Sequence, residues 1–410
     1  MATVLPFAGM RPPASLAAQV AAPPYDVLTS AQARALAGDN PLSFLHISKP
    51  EIDLDPQADP YGEEVYRMGQ DNFQRFVSRG TLIQDTEPTY YGYRQTLEGH
   101  SQTGLVALVS VDEYEQDLIR KHELTRPDKE NDRVRHMQAL QAQTGPVFLT
   151  YRDNDQLSAQ LEQTCAGIPD VDFTSDGVRH QLWVMRDHEL VVRIRDAFIR
   201  VPALYVADGH HRSAAATRYR EFCRGQNPAH RGDEAYNYFL AVLFPHAELN
   251  IQGYHRVVRD LGQYDRAGFL AALAQDFAIQ QNATPAMPAQ PGEFGLYLPD
   301  QWYRLTFKHE KPADPVASQD VALLQDRVLG PLLGIDNPRT DKRIDFIGGI
   351  HGHQGLENAV DKEGFAAAFA CYPVTIDALM AVADQGMLMP PKSTWFEPKL
   401  KSGLVVHYLG

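Results

Sequence analysis

The sequence predicts a fold of α+β (mixed α/β) class, and three observations carry that prediction. Apolar runs of strand character and amphipathic stretches intermix without the strict strand–helix–strand rhythm of a doubly wound parallel sheet. At 410 residues the chain is longer than one hydrophobic core normally serves, so it divides into lobes. At its centre the apolar run Ala203–Val206 passes through Asp208-Gly209 into an Ala-rich helix. The expected organisation is an N-terminal α/β segment over 1–115, a central mixed-sheet lobe over 116–260 and a C-terminal α/β lobe over 261–410 that braces the first.

The elements follow in order. Pro23-Pro24 holds the backbone extended before Tyr25-Asp26-Val27. Ser30 reads as the N-cap of a helix over 31–38, and Ser43–Ile47 as a strand closing on His46. Val65, Met68, Phe73 and Phe76 give 62–79 a helical stripe. Strands are expected at Thr89–Gln95 and Gly104–Val111, a helix over 128–142 stopped by Gly145-Pro146, and a strand at Val147–Tyr151. A helix over 155–164 precedes a hairpin of strands 181–185 and 190–194 around Asp187-His188. The central strand and its helix come next, then strands at Tyr238–Phe244 and 252–258. Further on come a Pro/Ala/Gln-rich connector at 282–292, a hairpin at 294–307, a helix at 317–328 and a strand at Ile344–Ile347. Two helical pieces over 353–368 and a last strand at 403–408 complete the chain.

Composition narrows the function. Hydrophobic residues are 44% and charged residues 22%, which excludes a wholly disordered or collagen-like chain. Lys plus Arg is 38 against 52 Asp plus Glu, a formal charge of 38 − 52 = −14. Non-specific nucleic-acid binding rests on cationic neutralisation of phosphates, so the expected partner is a small molecule and not a nucleic acid. The three cysteines, Cys165, Cys223 and Cys371, form neither a disulfide framework nor a zinc cluster. The opening stretch lacks a secretory pattern, and no run reaches the roughly 18 apolar residues of a spanning helix, so no membrane partner and a cytoplasmic place are expected. A homodimer is kept open as the assembly.

Asp208-Gly209-His210-His211-Arg212 is the sharpest chemical signal. A helix start after a glycine turn offers free N–H groups and the positive end of the helix dipole to an anion. Arg212 adds a planar fork, His210 and His211 can donate or exchange protons, and Asp208 can hold Mg²⁺ or accept a proton. The structural alternative is a capping Asp with histidines satisfied by backbone groups. A zinc site is the weaker reading, because adjacent histidines diverge and no His-Glu-x-x-His occurs.

The polar stretch 120–133 has two readings of equal standing. In one it is a solvated helix start, with Asp128 as N-cap and Asn131 at N3. In the other it is an active-site loop in which Glu123 is a base or metal ligand and Lys121 or Arg126 neutralises phosphate. Tyr25 and Asp26 form either a core cover or a pocket wall reaching a ligand hydroxyl or amine, and His46 is either exposed at a strand end or a satisfied core histidine. The run from Pro390 to Lys399, with Lys392, offers a phosphate contact or a brace, and Trp395 could stack on a base. Gly348-Gly349 before His351 is a weak anion turn, and Cys223 reads as packing. No GxxxxGK[ST], Rossmann GxGxxG or Gly-x-Ser-x-Gly elbow is present.

Pro23–Val27, the Arg120–Arg133 loop, Tyr205–Arg212 and Met389–Thr394 together resemble the uncharacterised bacterial and archaeal domain-of-unknown-function family 1015. That resemblance spans nearly the whole chain and implies no activity. The Asp208–Arg212 turn is similar, more distantly, to the phosphate-binding turn of the superfamily joining ParB nucleotidases, sulfiredoxin and a free-serine kinase. By it Gly209, His210, His211 and Arg212 would hold nucleotide phosphates, and Glu123 or Asp208 would serve the acceptor hydroxyl. Sulfiredoxin would need a cysteine beside the turn, and ParB function a DNA-binding domain. The expectation is therefore a kinase-like phosphotransferase using ATP or ADP with Mg²⁺ on a hydroxylated metabolite such as serine. A non-catalytic nucleotide or metabolite sensor and a phosphate-ester or nucleotide hydrolase are the alternatives.

Overall fold

The structure, a computed structural model, describes residues 2–410. It is a mixed α/β fold with a mixed sheet flanked by helices. Contacts divide the chain into two units: one holds the residues to Lys121, Thr125–Leu249 and Pro398–Gly410, the other His122–Leu124 and Asn250–Glu397.

In the first unit the described residues form a nine-stranded sheet. Its strands are β1 (Val4–Leu5), β2 (Tyr91–Leu97), β3 (His100–Ser110), β4 (Ile119–Arg120), β5 (Val147–Tyr151), β6 (Val171–Ser175), β7 (Val178–Val184), β8 (Leu204–Asp208) and β9 (Tyr238–Pro245). The order is β4-β8-β5-β9-β3-β2-β7-β6, with β1 beside β3. β4–β8 and β5–β9 run parallel and the other pairs antiparallel. The sequence YFLAVLFP of β9 is nearly all apolar and buried, as a strand covered on both faces must be. Each of its large side chains contributes about 1.5–3 kcal/mol by burial.

The helices that matter here are α1 (Ser30–Ala37), α2 (Leu45–Ser48), α3 (Glu63–Ser78), α4 (Pro127–Leu140), α5 (Asp155–Thr164), α6 (His188–Phe198) and α7 (His210–Gln226). α5 and α6 place Leu157, Leu161, Ile194 and Phe198 in one core with alternate residues of β3 and β9. α4 and α7 pack on each other through Val134, Met137, Ala215 and Tyr219. Phe44, Leu45, Phe73, Phe76 and Val406 close a further core around the N-terminal helices. No described helix is long and apolar enough to cross a membrane.

Several expected elements need correcting. Ser43–Ile47 is not a strand: Leu45–Ser48 is a helical turn, with Phe44, Leu45 and Ile47 all buried, so consecutive apolar residues share one pocket rather than alternating. Thr29, not Ser30, caps α1, in a reciprocal capping box with Gln32. Asp128 is not the cap of α4; Arg126 holds that position and Pro127 is the first helical residue. The hairpin around Asp187-His188 does not form. Asp187 accepts from the N–H groups of Glu189 and Leu190 and starts α6, while β7 pairs with β6 and β2. The strand 403–408 is reduced to His407–Tyr408.

In the second unit six antiparallel strands form the other main sheet of the described residues: β10 (Tyr254–Val258), β11 (Phe277–Asn282), β12 (Glu293–Leu298), β13 (Gln301–Phe307), β14 (Ile344–Gly348) and β15 (Ala367–Cys371). Their order is β11-β13-β12-β15-β10-β14, over a core that includes Phe269, Phe277, Phe294, Leu305 and Phe369. The expected helix 317–328 is an α-turn over Asp320–Leu324 that widens into a π-turn over Gln325–Leu329. The two helical pieces of 353–368 are one helix, Gly352–Glu363, ended by left-handed Gly364, and the apolar AAFAC that follows is β15. Helices Ala14–Val20, Arg266–Leu273 and Ile376–Asp384 carried no sequence-level expectation.

Candidate functional site

β8 ends on Asp208, and Gly209 turns the chain into α7 with φ 98°. That left-handed dihedral suits glycine and costs any other L-residue roughly 1–2 kcal/mol. A Cβ at Gly209 would touch Val147 Cα at an ordinary 3.4 Å, so the dihedral alone sets the price of substitution. We expect Gly209→Ala to lose about 1–2 kcal/mol in chemical denaturation, and an unchanged midpoint would contradict this reading of the turn. The N–H groups of Arg212 and Ser213 donate to the Gly209 carbonyl, so α7 is hydrogen-bonded from its first turn.

The side chains around the turn are tied in the first unit. Asp208 accepts from the Gly209 N–H at 2.8 Å, and its other oxygen pairs with Lys399 Nζ at 2.9 Å. Arg212 donates from Nη1 to the Pro146 carbonyl at 2.7 Å and from Nη2 to both Asp26 oxygens at 3.0 Å. Burial works against the charge of Arg212, but Asp26 and then Asp208 outweigh it and raise its pKa. His211 Nε2 accepts from the Arg126 N–H at 3.1 Å, and the Arg126 guanidinium pairs with exposed Asp128. Tyr25 lies under two guanidinium groups, Arg133 at 3.8 Å and Arg212 at 5.6 Å from its ring centre. Burial first, then the Asp26 charge, pushes the Tyr25 phenol up to about 12.

Arg133 is anchored by Asp132, whose second oxygen accepts from Tyr66. Burial would raise the Asp132 carboxyl, but Arg133 and this hydrogen bond hold it below the usual range. Tyr25, Arg133 and Arg212 line a cavity with about 480 Å³ of empty space, part of it open to solvent, together with Ser48, His136 and Gly145. His136 bonds the Ile47 carbonyl through Nε2, and burial with the Arg133 charge lowers its pKa to about 4.

The structure thus brings together Tyr25, Asp26, Gly209 and Arg212, with Asp208 held through Lys399 and His211 through the Arg126 backbone. His46 is not with them. Its Nδ1 pairs with Asp53 at 2.7 Å and its Nε2 with the Asn40 carbonyl at 3.1 Å, which raises its pKa and ties α2 to its neighbours. Glu123 and Lys392 belong to the second unit. There the His122 carbonyl accepts from Met389 N–H, and Glu123 favours the charge of buried Arg256. Lys392 has φ 57° and lies 5.8 Å from the Tyr254 ring centre, which Trp395 also meets edge-on. Sequence reasoning missed Arg133, Lys399, Ser48 and His136. Arg133 and Lys399 stood in stretches already marked as chemical, whereas Ser48 and His136 carry no local signal.

The chain matches, over residues 4–322, the family described as "Protein of unknown function (DUF1015)". The Met389–Thr394 stretch lies outside that match. No curated protein matches the chain. Among solved structures, a conserved hypothetical protein from Pyrococcus furiosus is 13% identical with a TM-score of 0.36, covering 72% of this chain and 93% of that one. A free serine kinase in complex with AMP is 12% identical, TM-score 0.36, over 71% of this chain and 86% of that one. SbnI with a C-terminal truncation, from Staphylococcus aureus, is 12% identical, TM-score 0.37, over 72% and 84%.

Proposed function

The chain belongs to the DUF1015 family, and we propose that it is a small-molecule phosphotransferase that uses ATP or ADP to phosphorylate a hydroxylated metabolite such as serine. The observation that carries this reading is the turn from β8 through left-handed Gly209 into α7, with the Arg212 guanidinium one helical turn on. Phosphoryl transfer asks the protein mainly for positioning and charge neutralisation. In this proposal the N–H groups at the start of α7 seat phosphates, and His210, His211, Arg212 and Arg126 offset their charge. Asp26 and Tyr25 face the acceptor. Mg²⁺, when bound, would neutralise phosphate charge, and Asp208, which pairs with Lys399 in the structure, would supply the hard oxygen ligand it favours. A small-molecule partner rather than a nucleic acid, a cytoplasmic place and a homodimer belong to the same proposal.

The test is a thermal-shift panel of ATP, ADP, AMP, pyrophosphate and amino acids with and without Mg²⁺, followed by phosphorus NMR of the products. Asp208→Asn should keep the shift that nucleotide gives without Mg²⁺ while lowering turnover, because it removes the hard oxygen ligand. Absence of a shift with every phosphate compound removes the proposal. A shift without turnover in the wild-type protein turns it into a sensor.

A further inference from the structure

Among the buried polar atoms of the described residues that have no hydrogen-bond partner, two belong to residues lining one cavity: Arg212 Nε and Ser48 Oγ. Ser48 is only 4% exposed and the Arg212 side chain 10%. Leaving such groups without partners is costly, so two of them beside one void point to something that fills it. Nε and Nη2 form one edge of the guanidinium, the edge that grips a two-oxygen anion. Asp26 occupies Nη2 only, so this edge is half used. A second arginine, Arg133, lines the same space.

The charges on the walls decide what fits. Arg212 is balanced by Asp26 and Arg133 by Asp132, while His136, lowered to about 4, and Tyr25, raised to about 12, are neutral near pH 7. The wall therefore has no surplus of positive charge for a phosphate dianion inside the cavity, whereas nucleotide phosphates would sit at the N–H groups that start α7. Among the wall's donors, one buried N–H and one buried hydroxyl lack a partner, a match for the two oxygens of a single-charged carboxylate. We propose that this cavity is the subsite for a carboxylate carried by the acceptor, held by Arg212 Nε and Ser48 Oγ. The proposal rests on the phosphotransferase reading and narrows its substrate class to hydroxy acids.

Calorimetric titration of the nucleotide-free protein with glycerate, with glycerol as the carboxylate-free control and inorganic phosphate as the dianion, tests it. Saturable glycerate binding is expected, weakened at least tenfold in both Ser48→Ala and Arg212→Lys, with neither glycerol nor phosphate competing. Ser48→Ala removes a hydroxyl that holds nothing in the fold, so it stays informative if Arg212→Lys does not fold. No saturable binding, equal binding in Ser48→Ala, or displacement by phosphate overturns the subsite. ATP-dependent phosphorylation of glycerol as efficient as that of glycerate overturns it too, while leaving the phosphotransferase reading intact. Glycerate binding in a protein that no nucleotide shifts keeps the subsite and removes the phosphotransferase reading.

Discussion

On the proposed phosphotransferase reading, Arg212→Ala should abolish most of the stabilisation that ATP or ADP would confer. Charge-assisted hydrogen bonds contribute about 1.5–3 kcal/mol each, so losing them weakens nucleotide binding roughly 10–100-fold. At a fixed nucleotide concentration that removes most of the linked shift in Tm. The side chain also has structural work, since it bonds the Pro146 carbonyl and Asp26. Asp26 is 35% exposed, so water can solvate it once unpaired, and the loss in the ligand-free protein should stay near 1–3 kcal/mol. Each variant must therefore be compared with its own ligand-free Tm. Asp26→Asn is the companion: it frees the fork of a competing carboxylate and should leave nucleotide binding equal or tighter. A nucleotide shift of wild-type size in folded Arg212→Ala would show that the phosphates sit elsewhere.

Long apolar runs were read correctly from the sequence because nothing competes with burial there. Tyr238–Phe244 and Val147–Tyr151 are buried strands, observed as Tyr238–Pro245 and Val147–Tyr151. The helix over 155–164 matches α5 residue for residue, with Asn154 capping it. The centre of the chain also held: Leu204–Asp208 is a strand and α7 starts beside the glycine. Short apolar runs were ambiguous. Leu45 to Ile47 and Leu190 to Ile194 suit a strand or a buried helix by composition, and capping and tertiary contacts made them helical. Asp187, read as a turn residue, was a cap, since one side chain serves both ends equally well.

The site was legible where its chemistry is contiguous and hidden where the fold assembles it. Gly209 and Arg212 stand in one motif. Lys399 reaches Asp208 across 191 residues, and Asp26 reaches Arg212 across 186. No periodicity reports such pairs. Arg133 was visible only as one charge among many in 120–133, and the bland reading of that stretch fits Arg126, whose side chain pairs with Asp128 in solvent. What distinguishes Arg133 is burial. α4 turns it inward, against the Tyr25 ring, and only the packing of α4 reveals that.

The largest stability effect is expected from Asp132→Ala. Asp132 is 8% exposed and accepts from the Arg133 guanidinium and the Tyr66 hydroxyl. Its removal leaves a guanidinium with 12% side-chain exposure lacking its carboxylate, and a phenol lacking its acceptor. Breaking a buried pair on one side costs about 3–5 kcal/mol, a large share of a typical domain's stability. Asp132→Asn keeps an oxygen for Tyr66 and should cost less. The pH dependence separates charge from packing. The folded carboxyl is held below its unfolded value, so its contribution is fully present above an unfolded pKa of about 3.9 and is lost as pH falls through the folded pKa. Urea midpoints of wild type and Asp132→Asn should thus differ most near pH 7 and converge below about pH 4. The same variant should loosen Tyr25, because Arg133 would no longer be held 3.8 Å over its ring, and hydrogen exchange at residues 25–28 should quicken. A gap between the two proteins that is constant from pH 7 to pH 3 would mean that the carboxylate charge contributes nothing and that Asp132 acts by shape alone.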